Sequence, residues 1–129
     1  MKGFTLVELL VVIAIIGLLS TIVLVSFGPV RNQAKDTAVK ANMDQMKLAA
    51  EIEYNAENDY SATDSRVDYI AAAAAAAAAA GESVVDYFTT GDYCIQVGLV
   101  SGGDWCVDST SYMGTTAGCE GTNYTCASE

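Results

Sequence analysis

The sequence predicts an α+β protein: one long N-terminal helix over about residues 4–57, then a small C-terminal antiparallel β-sheet head. Residues 4–57 combine an uninterrupted apolar run with apolar positions that repeat at helical spacing. Residues 84–109 instead hold short runs rich in Val, Tyr, Ile and Thr, separated by turns that contain Gly and Asp. All four cysteines fall in the last third of the 129-residue chain, which is typical of a small disulfide-bonded domain.

The composition argues against several classes of function. Sixteen acidic residues against six basic ones give a formal net charge of −10, and every charged residue after Arg66 is acidic. An acidic surface repels phosphate backbones, so the head is not expected to bind nucleic acid. The chain has no histidine and therefore lacks the commonest general base and metal ligand. We expect neither enzymatic activity nor a cofactor.

The segment from Phe4 to Phe27 is long enough to cross a bilayer as a helix, which takes about 20 residues. Its one ionisable side chain is Glu8, and a carboxylate near the centre of a membrane helix costs roughly 2.5 to 3.5 kcal/mol. Glu8 therefore either lies at the membrane surface, as in a simple anchor, or is met by a positive charge. No small-x-small cleavage site follows the run, which predicts a retained membrane helix rather than a signal peptide.

The stretch GFTLVELLVVIAIIGLLS, from Gly3 to Ser20, resembles the N-terminus of type IV pilins and pseudopilins. The resemblance rests on a basic residue followed by Gly, Phe, Thr, an apolar pair, Glu and an uninterrupted apolar run. It implies a leader at residues 1–3, cleavage by a prepilin peptidase after Gly3 and methylation of the new amino terminus at Phe4. It also implies that Glu8 pairs with the Phe4 amine of a neighbouring subunit and so sets the register of a filament.

The resemblance also implies the type IV pilin fold and a structural function. The expected protein is held in the inner membrane, processed, and then polymerised by an assembly platform and its ATPase. The product is an extracellular homopolymeric helical filament, with this chain as its major pilin. A minor tip pilin that acts as an adhesin and a pseudopilin of a type II secretion-like system share the same N-terminal features. The sequence does not distinguish motility, adhesion, DNA uptake and secretion as the filament's task.

The predicted helix has a hydrophobic half, residues 4–28, and an amphipathic half, residues 29–57. Gly17, Gly28 and Pro29 weaken it, because glycine costs about 1 kcal/mol relative to alanine in a helix and proline removes a hydrogen bond. In the family that this chain resembles, a segment between such positions often unwinds in the filament. The resemblance therefore implies helix flexibility at these three residues, although the proline lies later here than is usual.

Two apolar stripes follow the amphipathic half at intervals of three or four residues. The first stripe is Val30, Ala34, Ala38, Ala41, Leu48, Ile52 and Ala56, interrupted at Gln45. The second stripe is Val39, Met43, Met46, Ala50 and Tyr54. Two arrangements account for them: either the helix is covered by its own head on one side and by neighbouring subunits on the other, or one wide stripe faces a single core.

The head is expected over residues 58–129. Residues 58–70 are polar and rich in turn formers, which predicts a connecting loop. Residues 71–80 are ten consecutive alanines, a strong helix former. A run this pure also arises where unassigned residues are written as alanine, so its identity stays open and we assign no chemistry to it.

A three-stranded antiparallel meander is predicted over residues 84–89, 93–100 and 105–109. Its second hairpin is expected to turn at Gly102-Gly103, since paired glycines readily adopt the backbone angles of tight turns. The tail, residues 114–129, is rich in Gly and Thr and has no periodicity, which predicts an irregular segment held by disulfides.

The four cysteines predict two disulfides in an oxidising compartment, and the absence of a CxxC pair argues against zinc. The residues alone allow three connectivities. The segment YCIQVGLVSGGDWCVDST also resembles the sheet region of pilin-like proteins that carry a Cys-strand-turn-Cys unit. That resemblance implies the pairs Cys94–Cys106 and Cys119–Cys126.

Three other kinds of site have weak support. Four acidic residues of the head are potential calcium ligands, but they lack DxDxDG spacing, so turn and solubility roles are favoured and no metal site is predicted. The hydroxyls of residues 109–111 have no basic partner nearby in the head, which argues against a nucleophile. Asn123 begins an N-x-T pattern that fits a glycosylation acceptor. The four acidic residues considered as calcium ligands are Asp92, Asp104, Asp108 and Glu120.

Overall fold

The computed structural model describes residues 3–116, 118–120 and 124–126. The described chain has a long N-terminal helix and a small antiparallel four-stranded sheet, which confirms the predicted fold class. In chain order the elements are α1 (Leu6–Glu57), a 3₁₀-helix (Thr63–Ser65), α2 (Val67–Ala80), β1 (Val85–Phe88), β2 (Tyr93–Gly98), β3 (Asp104–Asp108), β4 (Met113–Thr116), β5 (Cys119–Glu120) and β6 (Thr125–Cys126).

The chain divides into two compact units, residues 1–31 and residues 32–129. In the first unit every described residue from Leu6 onward is helical, including Gly17, Gly28 and Pro29. Pro29 therefore lies inside α1 without ending it, and any unwinding at these three positions in a filament stays a prediction.

The ends of α1 follow from local chemistry. The helix begins at Leu6, two residues later than predicted, because Thr5 takes the capping position. It ends at Glu57, where Asn58 adopts a left-handed backbone with φ of 57° and its N–H donates to the Tyr54 carbonyl at 2.7 Å. Asparagine is one of the few residues other than glycine that tolerate this conformation.

The connecting loop is shorter than predicted, since α2 begins at Val67 and not within the alanine run. The Ile70 N–H donates to the Arg66 carbonyl at 2.9 Å, and the Tyr69 side chain is buried. Burial of that ring in the core outweighs the polar, turn-rich local sequence from which a loop was predicted. The helix ends at Gly81, whose φ of 86° favours glycine.

The main sheet has four antiparallel strands in the order β1-β2-β3-β4. It contains the three predicted strands, and the predicted turn is confirmed: Gly102 and Gly103 have φ of 104° and 80°. The expectation of an irregular tail was wrong, because β4 pairs with β3 and β5 pairs with β6. These short strands carry no alternating apolar pattern of their own, so pairing with other segments defines them.

One face of the sheet packs against α1 and α2 to form the core of the second unit. The strands contribute Tyr93, Ile95, Val97 and Val107, which alternate along β2 and β3 as expected for a sheet covered by helices. The helices contribute Val39, Met43, Met46, Ala49, Ala50, Tyr69, Ala72 and Ala76.

The opposite face of the sheet carries the β5–β6 hairpin and both disulfides, whose connectivity differs from the prediction. The bonded pairs are Cys94–Cys119 and Cys106–Cys126, not Cys94–Cys106 and Cys119–Cys126. Cys94 lies opposite Asp108, and Cys106 lies opposite Gln96, so the two sheet cysteines occupy diagonal positions. Each of them bonds instead to the hairpin that covers this face.

Two side chains of the sheet help to hold this hairpin in place. Gln96 accepts the Cys119 N–H at 2.8 Å, and Asp108 accepts the Cys126 N–H at 2.8 Å. The hairpin is thus fixed by hydrogen bonds from the same two strands that supply its disulfide partners.

Candidate assembly surface

Glu8 and Thr5 form a capping box at the start of α1. The Thr5 N–H and hydroxyl donate to Oε2 of Glu8 at 2.9 and 2.6 Å, and the Glu8 N–H donates to the Thr5 hydroxyl oxygen at 3.3 Å. Both hydrogen bonds to the carboxylate are accepted by Oε2. Within the described part of the chain, Oε1 accepts no hydrogen bond. Because a carboxylate can accept about four hydrogen bonds, Glu8 keeps the capacity to bind a further donor.

The peptide bond at the predicted cleavage point lies outside the helix. Gly3 and Phe4 precede α1, both are exposed, and the Phe4 side chain is 80% exposed. A Cβ at Gly3 would meet nothing within 4 Å. The structure therefore leaves this bond accessible, while processing at Gly3 and Phe4 stays a prediction.

The apolar side chains of the first unit have no partner within the described chain. From Phe4 to Val30 all large apolar side chains are exposed, with values from 47% at Val12 to 83% at Val25. Helix α1 is long and apolar enough, by length and composition, to be a candidate membrane span. The hydroxyls of Ser20 and Thr21 each donate to a helix carbonyl at 2.8 Å, so these polar groups need no water.

The two apolar stripes of α1 have opposite environments. In the second stripe Val39, Met43, Met46 and Ala50 are fully buried by the chain's own head. In the first stripe every residue is exposed, including Leu48 at 60%. The interpretation of one wide stripe facing a single core was therefore wrong. One side of the amphipathic half is covered, and the other presents an unpartnered apolar surface.

Asp36, which was not among the predicted site residues, anchors the β2–β3 hairpin to α1. Its buried carboxylate accepts hydrogen bonds from the Val100 N–H at 2.7 Å, from the Ser101 N–H at 3.3 Å and from the Ser101 hydroxyl. One turn further on, the Lys40 ammonium lies 4.3 Å from the centre of the Trp105 ring, a cation–π contact. Nothing in the local sequence distinguishes Asp36 from an ordinary surface charge.

Glu51 organises a second polar contact between α1 and the head. Its carboxylate accepts the Tyr93 hydroxyl at 3.3 Å and lies 3.4 Å from the Tyr60 hydroxyl oxygen. Burial, together with the Glu51 charge, raises the pKa of Tyr60 to about 12, and the same causes raise the pKa of Tyr93. Tyr54 stacks on Tyr60 at 4.5 Å, which extends the cluster along the helix.

Two of the acidic residues weighed as calcium ligands, Asp92 and Asp108, serve turns and hairpin docking. Asp108 is buried and accepts N–H groups from Thr110 at 2.9 Å and Tyr112 at 3.2 Å, besides the Cys126 N–H already noted. Asp92 accepts the Ser109 hydroxyl at 3.1 Å. These contacts fit the turn roles that the sequence favoured.

The remaining predicted sites lie in the cysteine cluster and at Asn123. The sulfurs of Cys94, Cys106 and Cys119 lie within 4.8 Å of one another, and all three are disulfide-bonded. The predicted glycosylation acceptor, Asn123, lies outside the described residues.

The family model described as the prokaryotic N-terminal methylation motif matches residues 1–24, the region that contains the Gly3-Phe4 bond and Glu8. No curated protein and no solved structure matches the chain.

Proposed function

We propose that this chain is a type IV pilin or pseudopilin, as its N-terminal methylation motif indicates, and that it is the major subunit of an extracellular pilus filament. The observation that carries the proposal is Glu8, whose exposed carboxylate has one oxygen without a donor among the described residues and lies in a largely apolar, exposed segment. A segment of this kind can lie in a membrane before assembly and pack against copies of itself in the filament.

The positive partner of Glu8 is created by processing. Cleavage after Gly3 by a prepilin peptidase exposes the amine of Phe4, which is then methylated and remains positively charged. Oε1 of Glu8 accepts a hydrogen bond from the Phe4 amine of a neighbouring copy, while Oε2 keeps its hydrogen bonds from Thr5. A carboxylate that is costly in hydrocarbon thus gains a charged partner only on assembly, which fixes the register between subunits.

Polymerisation moves the inner-membrane-anchored subunit from lipid to protein surroundings. Lipid tails are as apolar as the side chains of Phe4 to Phe27, so the gain comes from close packing and from the Glu8 pair rather than from excluding water. Extraction from the membrane requires an assembly platform driven by an ATPase. The head remains outermost, on the cell surface.

The test is Glu8→Ala in cells that carry the assembly machinery of this chain. We expect the variant to accumulate in the membrane and to be absent from sheared filaments. Normal filaments built from Glu8→Ala subunits would refute the assembly role.

The abundance of the chain separates the three filament roles. A major pilin should be the dominant protein of sheared surface filaments, whereas a minor tip pilin should be present in trace amounts. A pseudopilin should be absent from long surface filaments, and its deletion should block secretion.

A further inference from the structure

A shallow groove of about 320 Å³ lies between α1 and the edge strand β4. Leu48 and Met113 form its apolar floor and are 60% and 41% exposed. Met113 pairs with Val107, a fully buried core residue, so it lies on the side of the sheet that faces the helices. The groove is therefore a part of the core that the chain's own head leaves uncovered. Its rim consists of Asp44, Lys47 and Glu51.

A second unpartnered apolar surface lies at the start of α2. Val67 and Ile70 are three residues apart, so they lie on one side of the helix, and they are 82% and 52% exposed. The other side of α2 is buried through Tyr69, Ala72 and Ala76. The first turn of α2 therefore presents two apolar side chains outward from the head.

The groove carries one cation, Lys47, beside the acidic Asp44 and Glu51, and the surface at α2 has an acidic residue, Asp64, close to it. Among the described residues the side-chain ion pairs are those of Arg66 with Glu53 and Asp68, so neither Lys47 nor Asp64 has an ionic partner. Lys47 lies on the rim of the groove, and Asp64 precedes α2 by one turn. In a chain of net charge −10, copies repel each other unless a cation of one copy meets an acid of the next.

We propose that the groove at Leu48 and Met113 binds the first turn of α2 from a second copy, with Val67 and Ile70 in the groove and Asp64 facing Lys47. Groove and ligand are different surfaces of the same head, so the contact is heterologous and repeats without closing when the rotation allows. An open-ended repeat of this kind suits a filament and does not suit an isolated twofold dimer. The inference rests on the proposed function, because it names a contact between neighbouring heads of that filament.

Photo-crosslinking in intact filaments tests the contact directly. The full chain carries the photoreactive residue p-benzoylphenylalanine in place of Leu48, and filaments are assembled from a mixture of light and heavy-isotope subunits. We expect intermolecular crosslinks, recognised by mixed isotope pairs, that map to residues 64–71. The matched control places the same probe at Ala41, two turns earlier on the same exposed stripe, and should give a different crosslinked segment.

Charge exchange provides an independent test. Lys47→Glu and Asp64→Lys should each reduce filament yield about fivefold, because each loses an attraction and creates a like-charge contact. Together they should restore the yield. The mismatched pair Lys35→Glu with Asp64→Lys has the same net charge as that double variant and should stay low.

The outcomes separate this inference from the proposed function. Filaments that contain this chain, but whose position-48 crosslinks map to α1 of another copy or to the head outside residues 64–71, would overturn the groove contact and leave the pilin function intact. Failure of the matched charge pair to recover yield would do the same. If the chain enters no filament, both proposals are wrong.

Discussion

The carboxylate of Asp36 accepts the backbone N–H of Val100 at 2.7 Å, across 64 positions of sequence. The same carboxylate also accepts the N–H and hydroxyl of Ser101. One buried acidic group on α1 thus satisfies three donors of the loop between β2 and β3. This contact fixes the hairpin against the helix.

Removal of this carboxylate should destabilise the head. Asp36→Ala leaves partly buried donors unpaired, so the free energy of unfolding should fall by about 2 kcal/mol. Urea unfolding of the full chain in detergent, followed by the fluorescence of Trp105, measures the change. Asp44→Ala, an exposed change on the same helix, is the control and should cost under about 0.5 kcal/mol. Equal stability of the two variants would show that Asp36 is not an anchor.

The disulfide connectivity can be tested by cleavage at methionine. Met113 lies between the first two cysteines of the chain, Cys94 and Cys106, and the last two, Cys119 and Cys126. Cyanogen bromide applied without reduction yields fragments 47–113 and 114–129. The observed pairs, Cys94–Cys119 and Cys106–Cys126, join these fragments covalently. Recovery of two separate fragments before reduction would contradict this connectivity and support Cys94–Cys106 with Cys119–Cys126. Peptide sequencing of the joined species then distinguishes the observed pairing from the third arrangement.

Three buried tyrosines should make the head unstable at high pH. Burial raises the pKa of Tyr60 to about 12, and burial also raises the pKa of Tyr69 and Tyr93, each next to a carboxylate. In the unfolded chain these hydroxyls ionise near pH 10. The unfolded state therefore loses protons first, so this stability is complete below about pH 10 and declines as the pH rises toward 12.

Tyrosinate absorbance and circular dichroism, recorded together during an alkaline titration, check this expectation. Part of the tyrosinate signal should develop only as the head loses its structure. Ionisation of all seven tyrosines while the head remains folded would contradict it.

Thr5→Val distinguishes the two roles considered for Glu8, which are capping of α1 and pairing with a neighbouring subunit. The variant removes the hydroxyl of the capping box, which should weaken the start of α1 by about 1 kcal/mol, but it leaves the carboxylate in place. If Glu8 serves assembly, Thr5→Val should still form filaments, while Glu8→Gln, which keeps the shape and loses the charge, should not. Filament counts by electron microscopy at matched expression levels make the comparison. Loss of filaments in Thr5→Val but not in Glu8→Gln would instead indicate that Glu8 acts through the helix cap alone, because glutamine also serves in a capping box.

The long helix was predictable because its evidence is local. The apolar run and the stripes at helical spacing can be recognised without knowledge of their partners. The sequence did not decide which stripe is buried; the structure shows Met43 buried and Leu48 exposed. The turn at Gly102-Gly103 was predictable for the same reason, since the residues themselves favour its backbone angles.

The features that were missed depend on contacts distant in sequence. The sequence of strand β4 predicts an irregular segment, because Met113–Thr116 forms a strand only by pairing with β3. The start of α2 follows a polar, turn-rich segment and is helical where Tyr69 is buried in the core. The disulfides follow from a hairpin laid across the sheet, which no spacing of four cysteines specifies. Asp36 similarly depends on a loop far along the chain.

The mass of the intact subunit in sheared surface filaments shows whether this chain is processed and polymerised. We expect one dominant species that begins at N-methylated Phe4, lacks residues 1–3, and is four hydrogens lighter than the reduced chain because of its two disulfides. A filament subunit that retains Met1 to Gly3, or filaments that do not contain this chain, would contradict it.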